Sequence, residues 1–224
     1  MKRVLLLLVL VGLGSVLAAQ HKSYVGVRGG VQLTNADISH NFYQLNIRNT
    51  YTVTYHTGLV YKYYNKKNVG LITGLDYSVK GWTQNFFELY PNYTARLDYL
   101  ELPLLMTAYL GNGRTKYFVA LGPFFEYLIN YKLDPEPVET EPFDWYTYDP
   151  DRDNNFGYGL RIGGGVSHDF SFGQIHLEGF FTYSLSNIMD PVSRDSGVPD
   201  VSNSFVFGAS LAYLIPFGKL ELYP

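Results

Sequence analysis

The chain has 224 residues, enough for one domain, with 17 Lys and Arg against 20 Asp and Glu and a formal net charge of −3 at pH 7. No basic stripe runs through it, which excludes a nucleic-acid binder, and the absence of Cys excludes disulfides and a lipid anchor on cysteine. The bias lies in 21 Tyr, 15 Phe and 22 Gly, and no long apolar run follows the first twenty residues, which excludes a bundle of membrane helices.

Residues 1–19 read as a signal peptide: Lys2 and Arg3 form the charged start, Val4 to Val11 the apolar core, and Val16 to Ala19 a small-residue cleavage site. The mature chain, residues 20–224, is then a single exported domain. Its segments repeat one pattern, an alternation of apolar and polar residues with a period of two, which belongs to strands.

The first strand spans about residues 23–33, with Val25, Val27, Val31 and Leu33 on one face and Tyr24, Gly26, Arg28, Gly30 and Gln32 on the other. A long polar loop, 34–50, leads to the second strand at 51–64, where Val53, Tyr55, Leu59 and Tyr61 oppose Thr54, His56, Gly58 and Lys62. After a tight turn at 65–68 the third strand, 69–81, sets Leu71, Leu75 and Tyr77 against Gly74, Asp76, Ser78 and Lys80. A second long loop carries Trp82, Phe86, Phe87, Tyr90 and Tyr93. The fourth strand, entered from Arg96 and running to Tyr109, divides most clearly: Leu100, Leu102, Leu104, Met106 and Ala108 against Tyr99, Glu101, Pro103, Leu105 and Thr107.

A turn at 111–114 follows, with Asn112-Gly113 supplying positive φ. The fifth strand, 117–131, sets Val119, Leu121, Phe125 and Tyr127 against Ala120, Gly122, Phe124 and Glu126. The longest loop, 132–153, is acidic. The sixth strand, 156–168, sets Leu160 and Ile162 against Arg161 and a run of Gly; after a turn at 169–173 the seventh, 174–186, sets Leu177, Phe181 and Tyr183 against His176, Glu178 and Thr182. A fourth long loop, 187–203, precedes the eighth strand, 204–217, which sets Phe207, Leu211 and Tyr213 against Gly208, Ser210 and Ala212.

Loops alternate long and short without exception, and each strand is long enough for the roughly 9–11 residues a bilayer crossing takes. The pattern predicts an all-β fold: an eight-stranded antiparallel up-and-down transmembrane β-barrel, with four long outer loops and three short periplasmic turns. The apolar set should face lipid, since it is free of charge and ends in aromatics such as Tyr61, Tyr63, Tyr127, Tyr131 and Phe217. The polar set should fill the lumen, since it is rich in small residues and its charges balance: Arg28, Lys62, Lys80 and Arg161 against Asp76, Glu101, Glu126 and Glu178. A lumen so plugged should not conduct. The competing reading, a soluble lipocalin-like binder of an apolar ligand, reverses the two faces.

Four stretches resemble the PorT-like outer-membrane β-barrel family of Bacteroidota: Tyr99-Leu-Glu-Leu-Pro-Leu-Leu, Leu121-Gly-Pro-Phe-Phe-Glu-Tyr-Leu, Gly159 to Phe170, and Phe181-Thr-Tyr-Ser-Leu-Ser-Asn-Ile. The first is the most specific. The resemblance implies a barrel of about this strand number in the outer membrane, and its name-giving member is tied to protein secretion.

Residues for chemistry are sparse. His56 and His176 fall on the lumen face, where a lipid-modifying barrel would need a base; a hydrogen-bonding role in the plug is the simpler reading. Glu101 and Glu126 lie on neighbouring strands, yet four cations share their lumen. Asp149, Asp151 and Asp153 alternate as calcium ligands do, but Asn154 stands where a Gly is needed and no bidentate Glu follows. The expectation is no enzyme, no cofactor and no metal, with outer-membrane lipid as the surroundings and a protein partner at the outer loops. Trp82, Phe86, Phe87, Tyr90, Trp145, Tyr146 and Tyr148 either anchor that partner or pack over the barrel mouth.

Overall fold

The computed structural model describes residues 23–39, 48–66, 68–85, 92–111, 113–134, 148–191 and 198–217; the expected signal peptide lies outside them. Nine strands form: β1 (Ser23–Ser39), β2 (Arg48–Thr50), β3 (Thr52–Lys66), β4 (Val69–Asn85), β5 (Tyr93–Leu110), β6 (Thr115–Asp134), β7 (Phe156–Phe170), β8 (Gly173–Ser184) and β9 (Val201–Phe217). Every neighbour pair is antiparallel, and β4–β5 pairing closes the order β4-β3-β1-β9-β8-β7-β6-β5 into a ring of eight. The short β2 continues the line of β3 beyond Tyr51 and pairs with the end of β4, Thr50 opposite Thr83. A closed ring leaves no strand edge unpaired, which is what lets a sheet stand in hydrocarbon.

The faces fall as the alternation requires. On β5, Leu100, Leu102, Leu104 and Met106 are exposed on the outer wall, while Tyr99, Glu101, Leu105 and Tyr109 are buried in the lumen. Exposed aromatics ring both margins of this wall. Tyr51, Tyr55, Tyr127, Phe156 and Tyr158 lie toward the long loops, and Tyr117, Phe170, Phe172, Tyr213 and Phe217 toward the turns. Two aromatic girdles with an apolar band between them fit the two interfaces of a bilayer. The lipocalin-like alternative fails here, because it needs the apolar set inside.

Several strands run farther toward the long loops than the alternation suggested, while β8 stops two residues short there and β3 and β7 gain two residues toward the turns. β1 continues to Ser39, β4 to Asn85, and β5 begins at Tyr93. Trp82, expected in a loop, is 1 % exposed inside β4. The reason is visible on β5, where the two faces exchange polarity at Tyr99. Toward the turns, polar side chains point in and apolar ones out. Toward the loops, Tyr93, Ala95 and Leu97 point in, and Thr94, Arg96 and Asp98 point out. The barrel leaves the membrane at that level, so its outer wall meets water and its interior becomes an ordinary apolar core.

A register shift at Asp98/Tyr99 skips Ile129 on β6. Beyond it Tyr131 pairs with Leu97 and rests on Tyr148, ring centroids 5.6 Å apart, so Tyr131 joins the inner face and not the girdle. At the 111–114 turn Gly111 takes positive φ, 115°, and Gly113 does not; Asn112, expected to share it, lies outside the described residues.

Candidate functional site

The lumen holds three layers. Nearest the turns, Tyr24, Tyr64, Tyr109 and Phe118 form an aromatic floor with Val60, Ile72, Leu105 and Leu214. Lys62 is embedded in it: its Nζ donates to Ser167 Oγ at 3.0 Å and Gln174 Oε1 at 2.8 Å, and lies 4.8 Å from the Tyr109 ring centroid. Cation–π contact and neutral acceptors hold this ammonium where water is excluded. His176 is stacked on Phe118 at 4.2 Å, and its Nδ1 lies 2.7 Å from Ser167 Oγ.

Above the floor runs a belt of ion pairs. Arg28 grips Asp76 through two contacts, Nε to Oδ1 at 2.7 Å and Nη2 to Oδ2. Lys80 bridges Glu126 at 2.6 Å and Glu101 at 2.9 Å; Arg161 reaches Glu178 at 3.2 Å and Glu101 at 3.6 Å. Glu101 and Glu126 stand directly opposite each other on β5 and β6, a repulsive placement that Lys80 neutralises. Each of the eight residues expected in the network is at most 4 % exposed. The belt itself joins three cations to four carboxylates, and Lys62 lies in the floor.

Glycine makes this belt possible. Gly58 lies between Arg28 and Asp76 in the ladder, and a Cβ there would strike the Asp76 carboxylate. Gly157 faces Glu126, where a Cβ would come 2.8 Å from Oε1, and Gly163 likewise leaves room for the Glu178 carboxylate. The guanidinium of Arg161 lies 3.8 Å from the Phe180 ring centroid, and His56 meets the same ring edge-on at 5.3 Å. Both ring nitrogens of His56 are buried without a hydrogen-bond partner among the described residues. The His56–Phe180 contact could not be read from spacing, because it joins strands distant in sequence; Ser167 and His176 face each other across the β7–β8 hairpin.

The top layer is the apolar core of the extended strands: Trp82, Tyr93, Ala95, Leu97, Tyr99 and Leu128, roofed by Tyr148, Ile188, Met189 and Val198. The Tyr148 amide donates to Tyr93 Oη at 3.1 Å, and burial raises the Tyr148 phenol well above its ordinary range. Tyr148 and Trp82 therefore pack over the mouth and are not free anchors. Phe86, Phe87, Tyr90, Trp145 and Tyr146 lie outside the described residues.

The acidic run tightens this roof. Asp149 Oδ1 accepts from the Asp151 amide at 2.9 Å. Asp153 accepts from the Asp149 amide at 2.8 Å, from Arg152 at 2.7 and 2.9 Å, and from the Asp190 amide at 3.3 Å. Asn154 and Ile188 join the two loops through the backbone at 2.9 Å. The alternating carboxylates thus shape a turn and tie loop to loop. Among the described residues no three carboxylate or imidazole groups converge as a cation cage requires.

A closed ring with a lipid-facing band, two girdles and a side-chain-filled lumen defines an outer-membrane β-barrel. A family model described as the outer membrane protein beta-barrel domain matches residues 18–190, and the chain belongs to that family. Among solved structures, the outer membrane protein OprG of Pseudomonas aeruginosa is 13 % identical with a TM-score of 0.55, covering 88 % of this chain and 97 % of its own. Neisserial surface protein A is 9 % identical at a TM-score of 0.43, covering 85 % of this chain and 96 % of its own. Ail of Yersinia pestis is 11 % identical at 0.42, covering 87 % and 99 %. At such identities OprG attests the fold alone. No curated protein sequence matches this chain.

Proposed function

We propose that this protein is a non-enzymatic outer-membrane barrel that does its work at the long-loop end, as a rigid platform for a protein partner. One observation carries the reading: the lumen is filled from floor to roof by the aromatic floor, the ion-pair belt and the apolar core. With the interior occupied, the roofed mouth is the surface left to recognise anything.

Short turns belong to the periplasmic side of such barrels, so the platform faces outward. Exchange of the loop tips at 135–147 and 192–197 for short Gly/Ser links should leave a heat-modifiable barrel and abolish a crosslinked partner. An unchanged set of crosslinked partners would remove the platform reading. In planar bilayers the pure protein should give no stable conductance step, and a steady single-channel current would overturn the closed lumen. The resemblance to the PorT-like family of Bacteroidota extends the proposal to an accessory role in secretion, tested by secreted-protein levels in a deletion strain.

The Ser167–His176 pair favours one other reading, a lipid-modifying enzyme. Both residues are at most 5 % exposed within the aromatic floor, away from any acyl chain outside the wall. Replacement of Ser167, His176 and His56 together should leave the outer-membrane lipid profile unchanged; an altered profile would reinstate the enzyme.

A further inference from the structure

On the outer wall, the first charges above the apolar band lie on β5 and β6. Asp98 points outward, yet it is only 5 % exposed. It accepts from Tyr77 Oη at 2.7 Å, Asn130 Nδ2 at 3.1 Å and Arg96 Nε at 3.2 Å. Arg96 extends from this knot onto Tyr55: its guanidinium carbon lies 5.8 Å from the ring centroid and Nη2 lies 3.5 Å from the hydroxyl. Tyr55 belongs to the loop-side girdle, so the guanidinium sits at the depth of lipid head groups. Lys132 stands directly opposite Arg96 in the β5–β6 ladder and on the same face.

Like charges directly opposite destabilise a sheet. Asp98 balances Arg96 but leaves the charge of Lys132 over, and Lys132 has no ion pair or hydrogen bond among the described residues. The other carboxylate on this face, Asp134, sits opposite Thr94, one step farther from the membrane. A held guanidinium and a free-ended ammonium beside one carboxylate form a cradle for one further anion. At this depth the anion in reach is a lipid phosphate, and each basic residue near an anionic lipid surface contributes attraction of its own.

We propose that Arg96 and Lys132, steadied by Asp98 and Tyr55, hold the phosphate of an outer-leaflet lipid head group. The site would fix the depth of the barrel, and with it the height of the platform. It stands on the membrane placement and not on the partner reading.

The test uses the full mature protein in neutral detergent micelles, probed by native mass spectrometry with diphosphoryl lipid A. Lipid A stripped of phosphate is the matched control, and inorganic phosphate the competitor. Retained adduct should fall about fivefold in Lys132→Gln and about twentyfold with Arg96→Gln added, while Lys132→Arg retains it. The stripped lipid should not be retained, and inorganic phosphate should not displace the intact one. Equal retention by Lys132→Gln, equal retention of the stripped lipid, or displacement by inorganic phosphate would each overturn the proposal. Lys132 is exposed, so its substitution tests binding without testing folding, and boiled and unboiled mobility in SDS verifies the barrel for the pair.

Discussion

The two halves of this barrel are built by the same strands under opposite rules. In the membrane half of β5, Glu101 points in and Leu100 points out; in the loop half, Leu97 points in and Arg96 points out. On β5 the backbone alternates without a break across the boundary, and only the solvent changes. Lipid outside the lower half demands apolar side chains there and leaves the interior to polar groups that must satisfy one another. Water outside the upper half restores the ordinary arrangement, an apolar core with a polar surface. The lower interior is thus held by a charge-paired belt over an aromatic floor and the upper one by packing, and substitutions should tell the two apart.

The largest effect should come from the belt. Lys80→Met leaves Glu101 and Glu126 opposed across the β5–β6 ladder, and breaking a buried pair by removing one partner costs about 3–5 kcal/mol. Urea unfolding in lipid vesicles, followed by the boiled and unboiled mobility difference, should register it. A variant as stable as the parent would mean that the belt is not what holds the membrane half.

Next, Trp82→Ala empties the upper core. A buried Trp truncated to Ala costs about 3–5 kcal/mol, but here the loss should stay local. Protease should cut within 148–155 faster, while the membrane half keeps its heat-modifiable mobility. Loss of both together would show that the halves fold as one unit.

Asp153→Asn should cost less, about 1–3 kcal/mol, by weakening bonds to Arg152 and to the Asp149 and Asp190 amides. The measure is hydrogen exchange at 149–154 and 187–190, which should quicken with the belt unaffected. Calcium at millimolar concentration should give no heat with the parent protein, since Asp153 is already occupied. A saturable heat would restore the calcium reading of Asp149, Asp151 and Asp153. Smallest of all, Lys132→Gln should leave unfolding unchanged while weakening lipid retention, which separates surface recognition from either interior.

Much of the membrane half was legible in the residues. The Leu100-to-Ala108 series against Glu101 and Thr107 specified strand, face and lumen, because period two is a property of the extended backbone itself. The eight charges of the lumen were named for the same reason, since a carboxylate or cation on the polar face of a membrane strand has nowhere else to go. The upper half was missed because its faces are exchanged. A search for apolar residues on the lipid side stops at Leu100, and beyond it Ala95 and Trp82 look like loop. The skipped Ile129, which moves Tyr131 to the inner face, left no mark in the alternation either.

The sequence by itself determined that the chain crosses a membrane as paired strands, which face meets lipid and which side chains fill the lumen; these follow from local periodicity and from the cost of charge in hydrocarbon. Only the tertiary structure decided the partners. Lys80 chose two carboxylates, Lys62 settled over the rings of an aromatic floor, and Asp153 tied loop to loop. Such choices depend on distances across the ring between strands far apart in the chain, and on the glycines that open room for each carboxylate. No spacing along one strand contains them.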